Sequence, residues 1–359
     1  PATGPPGPRG PNGEYDPGYF YLPERAPENT GPNACGPAGR FWIAPNLELA
    51  WMKPFNTPNL VRVGTPNGPV AYGGPQATLF TPGFSLNGGF WLNQERTRGF
   101  DASFFYLPQT GVNTVFFSNG SALLLPTANG GTFPLADANY AGSYQAGWTT
   151  HFTSADVNYR NCILCTPDGR IDALVGYRFA NVGDTASLYG KRLGPDGQIV
   201  RFRDDIDVSN NFHGGQIGLA GEYRMNRWFI SGSSKVAFGA MFTDSDLEGK
   251  FRVNGVVVPL GFYSRPGVDG TREHTNFAVM PVVGVTLGRQ ITDHSRVYLG
   301  YNFLYVNSLT RAPDVIDPTP TVLTSNPQAP LAAASAIRRD STTSDFWVQS
   351  LNLGMEWRF

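Results

Sequence analysis

The sequence predicts an all-β fold: an antiparallel up-and-down transmembrane β-barrel of about 10 strands, with 12 as the upper count. Three observations carry this. First, residues 347–359 alternate with a period of two: Leu351, Leu353, Met355, Trp357 and Phe359 are apolar or aromatic, whereas Ser350, Asn352, Gly354, Glu356 and Arg358 are polar or small, with Gln349 the one break. Such a pattern needs a strand with one face in an apolar medium and the other in a polar one, and its length suits the roughly 9 to 11 residues of a tilted membrane strand. Second, segments of this kind recur along the chain, with long loops alternating with short turns. An outer-membrane type of barrel has an even strand number, short turns at one end, long loops at the other, and both chain ends on the short-turn side. A soluble sandwich also wets one face and packs the other, but its Greek-key connections give no reason to place every long loop at one end. Third, no run approaches the 18 apolar residues of a membrane helix, so spanning a membrane requires a closed barrel.

Composition limits the function classes. The chain has 359 residues with 43 Gly, 30 Pro and 15% charged residues, against about 25% charged in typical domains. Its net charge of −1 removes the electrostatic reason to expect a nucleic-acid partner, which requires a basic face. The sequence opens at Pro1 without an apolar h-region, so a secretory signal is expected to have been removed.

The elements follow in order. Residues 1–39 are dense in Pro and Gly and barely alternate, which predicts an extended polyproline-like periplasmic arm. Residues 4–13 place Gly at every third position, far too briefly for a triple helix. Residues 40–359 form the barrel. The first strand carries Phe41, Ile43, Leu47, Leu49 and Trp51 on one face, with Trp42, Asn46 and Glu48 opposite. A Pro/Gly-rich loop leads to a second strand (Phe84, Leu86, Phe90, Leu92), which turns at 93–97 into a third (Phe100, Ala102, Phe104, Tyr106). After a long loop at 108–139 comes a strand over 140–160, where a change of parity between Trp148 and Val157 predicts a bulge. The fifth strand has Ile171, Ala173, Val175, Tyr177 and Phe179 outward. The sixth (Ile217, Leu219, Tyr223) and seventh (Trp228, Ile230, Val236, Phe238, Phe242) are joined by 225–227. The eighth (Phe277, Val279, Val283, Val285, Leu287) turns at 291–295 into the ninth (Val297, Leu299, Tyr301, Phe303, Tyr305), and a last long loop precedes the terminal strand. Twelve strands would result if 250–263 made its own membrane-crossing hairpin.

Here several segments resemble a known family. Residues 211–218 (Asn-Phe-His-Gly-Gly-Gln-Ile-Gly), Gly176-Tyr177-Arg178, Gly89-Phe90-Trp91-Leu92 and Asp345-Phe346-Trp347 followed by Leu351-Asn352-Leu353-Gly354 look like the planctomycete outer-membrane family of porin-like β-barrels. The resemblance spans 41–359 and leaves the arm uncovered. It implies a bacterial outer-membrane barrel, with loops extracellular and both termini periplasmic, and supplies no substrate or active site.

The strand parity assigns the interior. Glu48, Asp101, Arg170, Asp172, Arg178, Glu222, Arg224, Lys235, Arg296, Glu356 and Arg358 face inward, a mixture of signs that is expected to pair, because unpaired charge in a confined space is costly. Eight strands enclose an interior just filled by side chains, so ten predict a largely closed, salt-bridged lumen or a narrow gated pore, without strong ion selectivity. Phe41, Trp51, Tyr106, Trp228, Phe242, Trp357 and Phe359 face outward as a lipid-facing aromatic belt. The terminal Phe359 resembles the signal read by barrel-insertion machinery, and arm and loops are the parts through which copies would associate as a homo-oligomer or surface array.

Other candidates are weaker. Asp204, Asp205, Asp207 and His213, with Asp269 and His274, lie near strand tops where an outer-membrane protease places its catalytic groups, but nothing in the sequence fixes their geometry. Asp244, Asp246 and Glu248 begin like a calcium loop, yet the twelfth position is Gly255 rather than Glu; loop calcium by another geometry is the one cofactor expectation, beside the plainer reading of a polar strand end. Cys162 and Cys165 are expected to pair with each other, or one of them with Cys35, pinning the arm beneath the barrel.

Overall fold

The computed structural model describes residues 39–76, 78–118, 121–127, 131–258, 261–264, 270–316 and 343–359; the arm expected at 1–39 falls outside them up to residue 38. In chain order the strands are β1 (Phe41–Met52), β2 (Asn56–Val63), β3 (Val70–Pro75), β4 (Leu79–Trp91), β5 (Arg98–Phe117), β6 (Leu123–Pro126), β7 (Thr132–Ala136), β8 (Ala141–Cys165), β9 (Gly169–Leu193), β10 (Ile199–Met225), β11 (Trp228–Val253), β12 (Val256–Val258), β13 (Gly270–Gln290) and β14 (Ser295–Leu309), then helix α1 (Ala312–Val315) and β15 (Ser344–Arg358).

The wall runs β1-β4-β5-β8-β9-β10-β11-β13-β14-β15, every pair antiparallel, and β15 closes back onto β1 with Ile43 opposite Trp357 and Leu49 opposite Leu351. The carbonyl of Phe359 accepts from the backbone N–H of Phe41 at 3.2 Å. No wall strand is left with an edge along its full length, which is what a membrane without hydrogen-bonding partners demands. The expected ten strands make this wall. The hairpin that would have raised the count pairs only Phe251 to Val253 with Val256 to Val258, too short to cross roughly 30 Å of hydrocarbon.

The strands overshoot the bilayer. At about 3.3 Å per residue, the 25 residues of β8 and 27 of β10 are much longer than the membrane is thick. The side chains mark the crossing point by reversing polarity. On β10 the apolar residues Ile217, Leu219 and Tyr223 are exposed, whereas Phe202, Ile206, Val208 and Phe212, of the opposite parity, are buried. On β9, Val175 and Tyr177 face out while Val182, Ala186 and Leu188 face in, and on β8 Val157 faces out while Tyr144, Trp148 and Phe152 face in. The parity change in β8 is therefore not a bulge of that strand: the β8–β9 register is continuous from Ala141 opposite Leu193 to Cys162 opposite Asp172, and the irregularity within this stretch belongs to β5, whose register shifts between Leu107 and Thr110 opposite Phe152 and Thr150. The apolar phase outside changes from lipid to water, and the interior changes from polar to apolar.

That apolar interior is a plug. Strands β2, β3, β6 and β7, drawn from the first two long connections, form a four-stranded sheet in the order β3-β2-β6-β7. Its Leu60, Val61, Tyr72, Leu123, Leu125, Phe133 and Leu135 join inward residues of the wall in one core. Trp148 Nε1 donates to Tyr72 Oη at 2.7 Å, and the Phe55 and Trp148 rings stand 5.6 Å apart. From opposite walls, Phe152 and Phe346 meet at 5.8 Å. At this level the plug sheet and the inward residues of the wall form one buried core.

One seam interrupts the wall. The β13–β14 ladder stops at Val282 opposite Leu304, although both strands continue. Val279 N–H points toward β14, where it donates to Asn307 Oδ1 at 2.8 Å; by the period of two, the nitrogen of Pro281 points the same way and has no hydrogen to give. β14 then breaks register between Val306 and Leu309, with Ser308 at φ 61°, and leads the chain inward to α1.

Candidate functional site: a polar chamber within the barrel

Below the plug, toward the short turns, lies a cavity of about 340 Å³. It is organised by two networks on facing parts of the wall. The first centres on Asp156 of β8. Its carboxylate takes Arg178 Nη2 at 2.5 Å and Lys235 Nζ at 3.0 Å, and Ser103 Oγ donates to it at 2.6 Å. Lys235 stands on β11, so this ion pair reaches past β9 and β10. Arg178 Nε also donates to Gln216 Oε1 at 2.8 Å, and Gln216 bonds in turn to Asn158. One carboxylate here meets two cations. The second network centres on Glu48 of β1, fully buried and bonded to Ser85 of β4 at 2.6 Å and Ser350 of β15 at 2.7 Å.

The short-turn end carries a charged floor. Arg296 donates to Glu222 at 2.6 Å and to Glu356 at 2.8 Å; Arg358 pairs with Glu356 at 2.5 Å; Asp172 takes Arg170 and Arg160, each at 2.6 Å; and Arg160 reaches Asp101 at 3.2 Å. Arg224 stands 3.4 Å from Glu222. Aromatic rings pack the guanidinium faces: Arg170 lies 4.2 Å from the Trp91 ring centre and Arg296 lies 4.1 Å from that of Phe229, contacts that add cation–π attraction where water is scarce. The ceiling is apolar, made by Phe105, Phe152, Leu174, Val282, Leu304 and Val348.

Of the eleven charged residues assigned inward by parity, nine border this cavity, and Asp172 and Arg224 lie in the floor, against Arg170 and Glu222; the structure gathers them into a floor and two networks. Sequence reasoning passed over Asp156, Arg160, Asn158 and Gln216, all of them inward by the same parity on β8 and β10, and Arg96. Arg96 sits in the β4–β5 turn at φ 57° and is buried, held by Asn93 Oδ1 accepting from the N–H groups of Thr97 and Arg98 at 3.0 and 3.1 Å. A turn residue has no strand parity to announce it. The outward aromatics fall at two heights: Phe41, Trp228, Trp357 and Phe359 near the short turns, Trp51, Tyr106 and Phe242 at the opposite end of the apolar band, and Phe41, Trp228, Phe242, Trp357 and Phe359 are exposed.

The weaker candidates separate. Residues of odd number on β10 face outward, so His213, whose ring packs against Phe179 and Phe242, points away from inward Asp204 and shares its face with Asp205 and Asp207, which lie eight and six residues along the same strand; His274 bonds to Thr310 at 3.2 Å, and Asp269 lies outside the described residues. Asp244, Asp246 and Glu248 alternate along continuous strand β11 rather than curling into a loop, and among the described residues no group of three or more His, Cys, Asp or Glu is placed to hold a metal ion. Cys165 is disulfide-bonded and Cys162 is not, its thiol donating to the Leu164 carbonyl at 3.1 Å. The expected local Cys162–Cys165 pair is thus absent, because both residues lie in extended β8; a bond through Cys35 falls outside the described residues.

Comparison with known proteins gives the following. A search of curated proteins finds no match. Among solved structures, the chain is similar to the outer membrane protease OmpT from Escherichia coli, at 12% identity over 89% of this chain and 97% of that one, with a TM-score of 0.46. It is also similar to the P. putida toluene transporter TodX (10% identity, 90% and 91% covered, TM-score 0.24) and to a Pseudomonas aeruginosa FadL homologue (10%, 89% and 90%, 0.24). At these scores the closed hydrogen-bonded ring of this chain itself carries the fold. The family model described as "Putative beta barrel porin-7 (BBP7)" matches residues 57–359.

Proposed function

The chain belongs to the beta barrel porin-7 family, a bacterial outer-membrane β-barrel, and from this we propose that it is a non-enzymatic, porin-like protein whose resting lumen is closed by the apolar plug above a polar chamber. In this reading the short turns and both chain termini face the periplasm, the long connections face outward, the exposed aromatic rows meet outer-membrane lipid, and β15 is what the insertion machinery engages. The observation that carries it is the chamber: a barrel serving only as an anchor has no need for a 340 Å³ polar cavity lined by ion pairs, since well-packed apolar side chains fill such a space at least as stably.

The plug favours a second reading. A lumen packed from wall to wall suits a structural surface protein that uses the barrel as anchor and assembles through its loops and arm. Planar-bilayer conductance of the detergent-purified protein, with its mass measured by light scattering, separates the two. Reproducible steps that grow when the four-stranded plug sheet is loosened, for instance by Leu60→Asp, support the porin; silence in both proteins, with folded barrels in a large assembly, refutes it.

A further inference from the structure

The chamber wall formed by β15, β1 and β4 is made of acceptors. Glu48 is 0% exposed, and among the described residues it takes part in no ion pair; its two oxygens accept only from Ser85 and Ser350. Beside it, Asn352 Oδ1 is buried with no hydrogen-bond partner, and Asn46 Oδ1, whose side chain lies beside the Tyr298 hydroxyl, is buried without a well-aligned one; Asn46 and Asn352 are only 6% and 7% exposed. Asn352 stands directly opposite Glu48 in the β1–β15 ladder, and Asn46 is two residues before it on the same face. The carboxamide of Asn46 is oriented by its donors, since Nδ2 donates to Ser85 Oγ at 2.9 Å and to the Ala44 carbonyl at 3.2 Å, leaving the oxygen over. Across the chamber, both cations of the first network, Lys235 and Arg178, are engaged by Asp156.

A buried carboxylate without a counter-charge and two buried carbonyl oxygens without a well-aligned donor are each costly to leave unmet, and here they border one cavity. We propose that this wall binds the primary ammonium group of a small polar solute. Such a group carries one positive charge for Glu48 and three N–H donors, one for each of Glu48, Asn46 and Asn352. The Asp156 network, with two cations to one carboxylate, leaves a positive charge on the far side, so a solute that also bears a carboxylate fits better than a diamine. The identity of the solute rests on the porin reading only for its route of arrival; binding at the wall does not.

The test is equilibrium binding to the full chain refolded from urea into detergent with the probe present throughout, so that access through a closed lumen does not limit it. Methylammonium and glycine are expected to raise the unfolding midpoint, whereas tetramethylammonium, with the same charge and no N–H donor, leaves it unchanged. Glu48→Gln, which keeps an oxygen for a serine hydroxyl, is expected to weaken both probes at least tenfold; Asn352→Leu serves as a second variant should the first fold poorly. Equal stabilisation by sodium, potassium or calcium would make this a bare-cation site and overturn the assignment, as would folded wild-type protein that no ammonium probe stabilises. Binding without conductance would leave this site standing while the porin reading falls.

Discussion

Arg311 Nε donates to Asp184 Oδ2 at 2.5 Å, a buried ion pair joining the chain just after β14 to the inner wall of β9. The same segment is fastened to β10, where Thr310 N–H donates to Asn210 Oδ1 at 3.0 Å and Asn210 Nδ2 to the Thr310 carbonyl at 2.8 Å. Phe55 and Phe346 lie under the guanidinium at 4.5 and 5.1 Å. The chain that leaves the wall at Ser308 thus crosses the mouth and locks the plug.

Breaking this pair by removing one partner strands a buried charge. Asp184→Asn and Arg311→Met are each expected to cost about 3 to 5 kcal/mol, and the double variant less than their sum. Urea unfolding of the refolded barrel measures both. If the plug closes a pore, single-channel recordings of either variant show more open time than wild type; stability equal to wild type would show that the lock holds nothing.

Asp204 makes plug stability depend on pH. It lies on β10 well beyond the outward apolar residues, buried, and accepts backbone N–H groups from Phe262, Tyr263 and Ser264 at 3.0, 3.1 and 2.9 Å. Burial pushes its carboxyl up to about 7, against the pull of those three donors and with the charge of Asp205 adding to the rise. Because the folded value stands above the unfolded 3.8, the folded state holds the proton more tightly. The resulting stability, about 4 kcal/mol at 1.36 kcal/mol per pH unit, is complete below about pH 4 and is lost as pH rises to about 7. Hydrogen exchange at 261–264 is therefore expected to quicken between pH 5 and 8 beyond its intrinsic pH dependence, and Asp204→Asn to remove that excess.

Asp156 and Lys235 are expected to respond unequally. Lys235→Met leaves Asp156 with Arg178, Ser103 and Asn158, whose Nδ2 donates to Asp156 Oδ1 at 2.6 Å, and costs little, about 1 kcal/mol. Asp156→Asn leaves two cations facing each other over the chamber and costs about 3 kcal/mol or more. Denaturant midpoints that fall equally for both would contradict the network as described.

The seam at Pro281 predicts a sensitive asparagine. Asn307→Ala leaves the Val279 N–H without its acceptor, which costs about 1 to 3 kcal/mol, whereas Pro281→Ala supplies the missing ladder donor and is expected to be neutral or stabilising. Amide exchange along 278–282 reports both: faster than wild type in the first variant, slower in the second.

The sequence by itself determined the wall. A period of two, short turns at 93–97, 225–227 and 291–295, and aromatic rows such as Phe84, Leu86 and Phe90 are local consequences of a strand between lipid and a polar interior, so ten strands and the inward direction of residues such as Arg178 and Arg296 could be read directly. The inversion of parity in β8 was legible too, but as the wrong object, because alternation records which face is apolar and not which side of the wall that face is on. What only the tertiary structure decided are the plug, the pairing of charges and the acceptor wall at Glu48. Asp184 and Arg311, or Glu48, Ser85 and Ser350, are brought together by ring closure and by a loop that folds inward, and such contacts between distant positions leave no period in the chain that makes them.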